Sequence, residues 1–124
     1  MYFLRVESNF SAALYLLNCG EKYKGMHGHD YTVTVTLRSS TLSSCGVVFD
    51  YTKIQNSLDN LTAFYDSSLL NDNSDFLDQN PTVENVARIF CDKLLLDLPE
   101  LPLFEVEVKE LRGVSAVFRP IINA

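Results

Sequence analysis

The spacing of hydrophobic and polar positions changes several times along the chain, and the changes mark out its elements. His29 to Arg38 (HDYTVTVTLR) alternates strictly, with Tyr31, Val33, Val35 and Leu37 on one face and Asp30, Thr32, Thr34 and Thr36 on the other. A period of two carried by β-branched residues predicts a strand with one buried and one wet face. Phe104 to Leu111 (FEVEVKEL) alternates in the same way, and Val114 to Phe118 returns after a turn at Gly113 as the second arm of a hairpin. Tyr2 to Leu17, rich in aromatic, β-branched and aliphatic residues, reads as the first strand. Two stretches follow helical spacing instead. Asp50 is placed as an N-cap ahead of Ile54, Leu58 and Leu61, which predicts a helix over Tyr51 to Thr62. Pro81-Thr82-Val83-Glu84 opens a second helix with Val86, Ile89, Phe90, Leu94 and Leu95 as its apolar stripe, closed by Pro99 and Pro102. Asn18 to Gly25 and Ser39 to Gly46 read as loops, Val47 to Phe49 as a short extended piece, and Asp66 to Asn80 as irregular.

The order strand, strand, helix, helix, strand, strand predicts an α+β fold built on antiparallel hairpins, in one domain spanning 1–124. Four strands leave open sheet edges. Pairing those edges between copies is the natural remedy, so a homo-oligomer is expected.

Composition narrows the partners. Of 124 residues, 16 are acidic and 10 basic, a formal net charge of -6. Arg5, Lys22, Lys24, Arg38 and Lys53 are scattered, so the clustered cations that bind nucleic acid are missing. No apolar run reaches the length of a membrane span, and Met1 to Val6 carries no apolar signal region. Cys19, Cys45 and Cys91 are odd in number and lack CxxC spacing, which fits free thiols in a reducing, cytoplasmic setting.

Candidate chemistry is concentrated in few places. The chain's two histidines stand together in His27-Gly28-His29. At a strand start, residues two apart share a face, so both imidazoles could meet one metal ion, with Gly28 on the other side allowing close backbone approach. Imidazole suits zinc, but a catalytic zinc takes three protein ligands and an open position. Two polar residues at a strand start are the plainer alternative. Glu110 ends an alternating strand; its carboxylate could accept paired N–H donors from a flat 2-amino-4-oxo heterocycle, or be solvated. Thr82 and its neighbours are equally what any helix start would show. Asp66 lies beside Ser67 with no third histidine to complete a nucleophilic triad.

Taken in order, these pieces resemble a known family. Phe10-Ser11-Ala12-Ala13, His27-Gly28-His29-Asp30-Tyr31 and Gly46-Val47-Val48-Phe49-Asp50-Tyr51 are similar to the opening half of the 6-pyruvoyl/6-carboxytetrahydropterin synthases. Tyr65-Asp66, Leu70-Asn71, Asn80-Pro81-Thr82-Val83-Glu84-Asn85-Val86-Ala87 and Val108-Lys109-Glu110 resemble its second half. The resemblance implies the T-fold, a four-stranded antiparallel sheet with two helices inserted between strands 2 and 3. It implies three subunits closing a β-barrel, often stacked as a hexamer, with active sites between subunits. It implies zinc on three histidines and a substrate of the dihydroneopterin triphosphate type, in pterin or queuosine-type biosynthesis. On this resemblance His27 and His29 are zinc ligands, Glu110 anchors the pterin, Thr82 lies near its ring, and Asp66 is catalytic.

Three family positions differ here. Leu14 stands where the first zinc histidine follows the FSAA run, which would weaken any zinc site. Ser67 replaces the histidine after the catalytic aspartate, and a serine cannot replace it as a base near neutral pH. Tyr23 stands at the catalytic cysteine position of the bacterial pattern and Glu21 at that of a longer-loop variant, so Glu21, Tyr23 or Cys19 would have to stand in. Two functions are therefore expected: a carbon–oxygen lyase acting on a dihydropterin, or a degenerate T-fold protein that binds a pterin-like or purine-like ring, or a partner, without turnover.

Overall fold

The computed structural model describes residues 1–121; residues 122–124, which the single-domain reading takes in, lie outside that range. The elements are β1 (Tyr2–Leu14), β2 (His27–Ser39), α1 (Tyr51–Tyr65), β3 (Ser68–Leu69), α2 (Val83–Asp97), β4 (Leu103–Glu110) and β5 (Ser115–Phe118), with single 3₁₀ turns at Glu21–Tyr23, Leu70–Asp72 and Ser74–Phe76. The sheet order is β3-β1-β2-β4-β5. The β1–β2, β2–β4 and β4–β5 pairings are antiparallel, and the register runs from Tyr2 opposite Ser39 to Leu14 opposite His27.

The architecture is the α+β one expected, with one addition. Ser68–Leu69 pairs parallel to Ala12–Ala13, adding a fifth, two-residue strand beyond β1. Its apolar–polar alternation is too short to register as a period. Val47 to Phe49, expected to be extended, forms bends and no strand. The first strand ends at Leu14 rather than Leu17, and α1 runs three residues past Thr62 to Tyr65.

One face of the sheet is dry. Val6, Phe10, Leu14, Tyr31, Val33, Val35, Leu37, Val106 and Val108 are buried there with Ile54 and Leu58 of α1 and Val86, Phe90 and Leu94 of α2. Phe10 stacks on Tyr31 at 4.8 Å and on Phe90 at 5.7 Å, so three elements meet at one aromatic column. Asp50 and Thr82 cap the two helices, accepting from the backbone N–H of Thr52 and of Asn85. The opposite face carries Glu7, Asn9, Asp30, Thr32, Thr34, Glu107 and Lys109 along a concavity of about 710 Å³.

Candidate active site

The dry face ends at a polar cleft because β2 begins with histidine where its later odd-numbered positions carry apolar residues. His27, His29 and Tyr31 follow one another along the face that continues into Val33, Val35 and Leu37, with the two imidazole centroids 5.0 Å apart. Leu14 faces His27 directly across the β1–β2 ladder and is only 4% exposed. On the other side of β2, Glu110 pairs in register with Tyr31, and its Oε1 lies 3.7 Å from His29 Nε2. The Glu110 side chain is 19% exposed and that of His29 only 7%. The cleft, about 800 Å³, is closed by Tyr23 and Lys22 from the β1–β2 loop, Thr82 and Glu84 from the start of α2, and Arg112 from the β4–β5 turn.

The loop is held by amides from far along the chain. Asn71 Oδ1 accepts from the Tyr15 N–H while its Nδ2 donates to the Tyr15 carbonyl, both at 2.9 Å. Asn80 brackets Leu17 in the same two-way manner, again at 2.9 Å. The Leu16 N–H then donates to the Tyr23 carbonyl at 2.9 Å, which brings Tyr23 back over the histidines. The Leu70-Asn71 and Asn80-Pro81 motifs thus act as clamps on the loop that walls the cleft.

Hydrogen bonds fix the two imidazoles differently. His27 Nδ1 lies 2.8 Å from the Gly25 carbonyl, an acceptor, so Nδ1 carries the proton and Nε2 keeps its lone pair. His29 Nδ1 lies 3.1 Å from a guanidinium nitrogen of Arg112. Guanidinium only donates, so His29 Nδ1 accepts and the neutral ring carries its proton on Nε2, toward Glu110. Burial lowers the His29 pKa; Arg112 and His27 push the same way and Glu110 opposes. Burial, then the Glu110 charge, raises the Tyr31 pKa, so that phenol stays protonated.

Not every candidate converges on the cleft. His27, His29, Glu110, Thr82 and Tyr23 line it, while Glu21, Asp66 and Cys19 do not. Glu21 is 88% exposed and pairs with Lys24 at 2.7 Å. Cys19 packs beside Asn80. Asp66 lies against the wet face, where its Oδ1 accepts from the Ser11 N–H at 2.8 Å. Thr82 is at once a cleft residue and the cap of α2. Gly28 is not there for want of room: a Cβ would meet only the Ala12 carbonyl, at 3.8 Å, an ordinary contact. Arg112 joins the cleft from a turn whose sequence signal is Gly113; the pointer to the arginine itself is a cation two residues past a strand-ending acid.

A three-ligand zinc centre does not fit these residues within one chain. His27 offers a lone pair, the lone pair of His29 is taken by the Arg112 guanidinium, and the third position is the hydrocarbon of Leu14. Among the described residues no group of three or more His, Cys, Asp or Glu side chains is placed to hold a metal ion.

Comparison with known proteins shows the family and the fold. The chain is 30% identical over 103 residues to the 6-carboxy-5,6,7,8-tetrahydropterin synthase of Bacillus subtilis, covering 77% of this chain and 68% of that protein. Its fold matches the Caenorhabditis elegans 6-pyruvoyl tetrahydropterin synthase structure with a TM-score of 0.82, at 23% identity, over 97% of this chain and 96% of that one. It also matches the Plasmodium vivax 6-pyruvoyl tetrahydropterin synthase with a TM-score of 0.80, at 18% identity, over 98% of both chains; that protein has also been solved with a glutamate described as catalytic replaced by cysteine. Residues 3–120 match the family model for 6-pyruvoyl tetrahydropterin synthase, and this T-fold chain belongs to that family.

Proposed function

We propose that the cleft binds a dihydropterin of the dihydroneopterin triphosphate type and that the chain acts on its side chain as a 6-pyruvoyl- or 6-carboxytetrahydropterin synthase-like lyase, in pterin or queuosine-type biosynthesis. The observation that carries the reading is Glu110. A mostly buried carboxylate at the end of a core strand, shared with no lysine or arginine salt bridge among the described residues, is suited to accept two N–H donors from a 2-amino-4-oxo ring. Charge-assisted hydrogen bonds of that kind contribute about 1.5–3 kcal/mol each. Thr82 and Val83 lie along the same cleft, giving the ring a partly apolar wall.

For chemistry, Tyr23 is the one of the three loop stand-ins, Glu21, Tyr23 and Cys19, that lines the cleft within one chain. Asp66 would serve from a neighbouring copy, in the shared-site arrangement the family resemblance implies. Glu21 would have to turn inward, away from Lys24, to act as the catalytic glutamate of the Plasmodium relative does. A second reading is favoured by Leu14 and Ser67: a pterin-binding T-fold protein without turnover.

Two measurements decide. Titration with 7,8-dihydroneopterin, followed by fluorescence, is expected to show binding that Glu110→Gln weakens about tenfold to a hundredfold, the loss of one charge-assisted bond. Incubation with dihydroneopterin triphosphate is expected to release triphosphate. Binding without release leaves the second reading; absence of binding to the wild-type protein ends both.

A further inference from the structure

The cleft holds a cation of its own where the donor set falls short of zinc. Arg112 Nη2 lies 3.1 Å from His29 Nδ1, and the side chain lines the same cleft as Glu110. Among the described residues no carboxylate lies within ion-pair distance of Arg112. Its remaining guanidinium N–H groups are therefore available to a ligand. The turn that carries it is fixed on both sides: the Glu110 N–H donates to the Val114 carbonyl at 2.8 Å and the Gly113 N–H to the Glu110 carbonyl at 2.9 Å. Gly113, at φ 98°, supplies the left-handed residue this turn requires. Lys22 brings a second cation to the loop side of the cleft, whose carboxylates are Glu84 and Glu110.

A planar guanidinium with paired donors matches an oxyanion better than a second metal-like charge would. Its contact with His29 also occupies that ring's lone pair, which a metal ion would need. We propose that Arg112 takes the place of a metal ion in this cleft: it receives a carboxylate or phosphate group carried on the ligand's side chain, and binding proceeds without metal. The ring assignment rests on the function proposed above; the anion site does not.

The test uses the full chain, treated with a chelator, and three probes: inorganic pyrophosphate, unsubstituted pterin and 6-carboxypterin. The wild-type protein is expected to bind pyrophosphate and to prefer 6-carboxypterin over pterin by about tenfold, a typical worth for one charge-assisted contact. Arg112→Met is expected to abolish pyrophosphate binding and the preference while leaving pterin affinity within about twofold, since the variant keeps Glu110. Glu110→Gln is expected to weaken both pterins and leave pyrophosphate unchanged. Nitrogen chemical shifts of His29 in the ligand-free protein are expected to report the Nε2–H tautomer, lost in Arg112→Met. Pyrophosphate binding without pterin binding removes the ring reading and keeps the anion site. Equal binding of pyrophosphate to both proteins, or a preference that appears only when zinc is restored, overturns the proposal.

Discussion

Leu14 shows how much one side chain can decide. It sits directly across a β-ladder from His27, where paired Cβ atoms are about 4.5–5.5 Å apart. An imidazole at that position would join the other two on one face. Leu14→His combined with Arg112→Met is expected to bind zinc stoichiometrically, measured by elemental analysis of the purified protein, and the wild-type chain is expected to carry less than one zinc per chain. Burying a new polar ring is expected to cost about 1–3 kcal/mol of stability, read from denaturant unfolding. A zinc-poor double variant that is folded would mean the three positions do not converge. The pairing of His27 with His29 is legible in period-two spacing, whereas the place of Glu110 beside them is implied only by the family resemblance. Beyond a cation two residues past a strand-ending acid, nothing in the sequence joins Arg112 to His29, whose side chains lie 83 residues apart along the chain.

Among the elements, the segment between α1 and α2 carries no hydrophobic period, and its order comes from a polar hub. The Tyr65 hydroxyl donates to Asp75 Oδ2 at 2.7 Å, and Lys93 of α2 reaches the same oxygen at 2.8 Å. Burial alone would raise the Asp75 pKa, but the bonds from Lys93 and Tyr65 outweigh it and lower the group below its ordinary value of 3.8. The stabilisation is therefore complete above that value and is lost as pH falls through the lower, folded-state value. Asp75→Asn is expected to destabilise by about 1–2 kcal/mol near neutral pH, and the gap to wild type is expected to close as urea melts are taken to pH 3 and below. A gap that widens on acidification would contradict the assignment. Thr82 offers a second check at this scale. Thr82→Ala removes the α2 cap and is expected to lower stability by about 1 kcal/mol. If the hydroxyl serves the helix alone, pterin affinity measured well below the melting temperature stays within about twofold of wild type. The strands and both helices were legible from period and caps, whereas β3 was not: two residues cannot display a period, and their pairing with Ala12–Ala13 is a tertiary event.

At the scale of the whole molecule the sheet is unfinished. β3 and β5 stand at its two edges, and no strand among the described residues pairs with their outer sides. Val114 and Val117, on and beside β5, are each about half exposed. Pairing between copies is one of the ways in which such edges are closed. Light scattering is expected to give a mass well above the 14.0 kDa of one chain, and lysine at both Val114 and Val117 is expected to return it to that value. A wild-type monomer would show that the edges are tolerated open. No helix among the described residues is long and apolar enough to cross a membrane.

The alternation along β1 and β2 has a last consequence. Neighbouring residues on these strands answer to different demands: one lines the cleft, the next the wet concavity on the other face. Inheritance can therefore edit the two surfaces separately. Leu14 and Arg112 on the cleft side can be exchanged without touching Asn9, Thr32 or Lys109 on the wet side, so the chemistry of one surface can change while the other stays as it is.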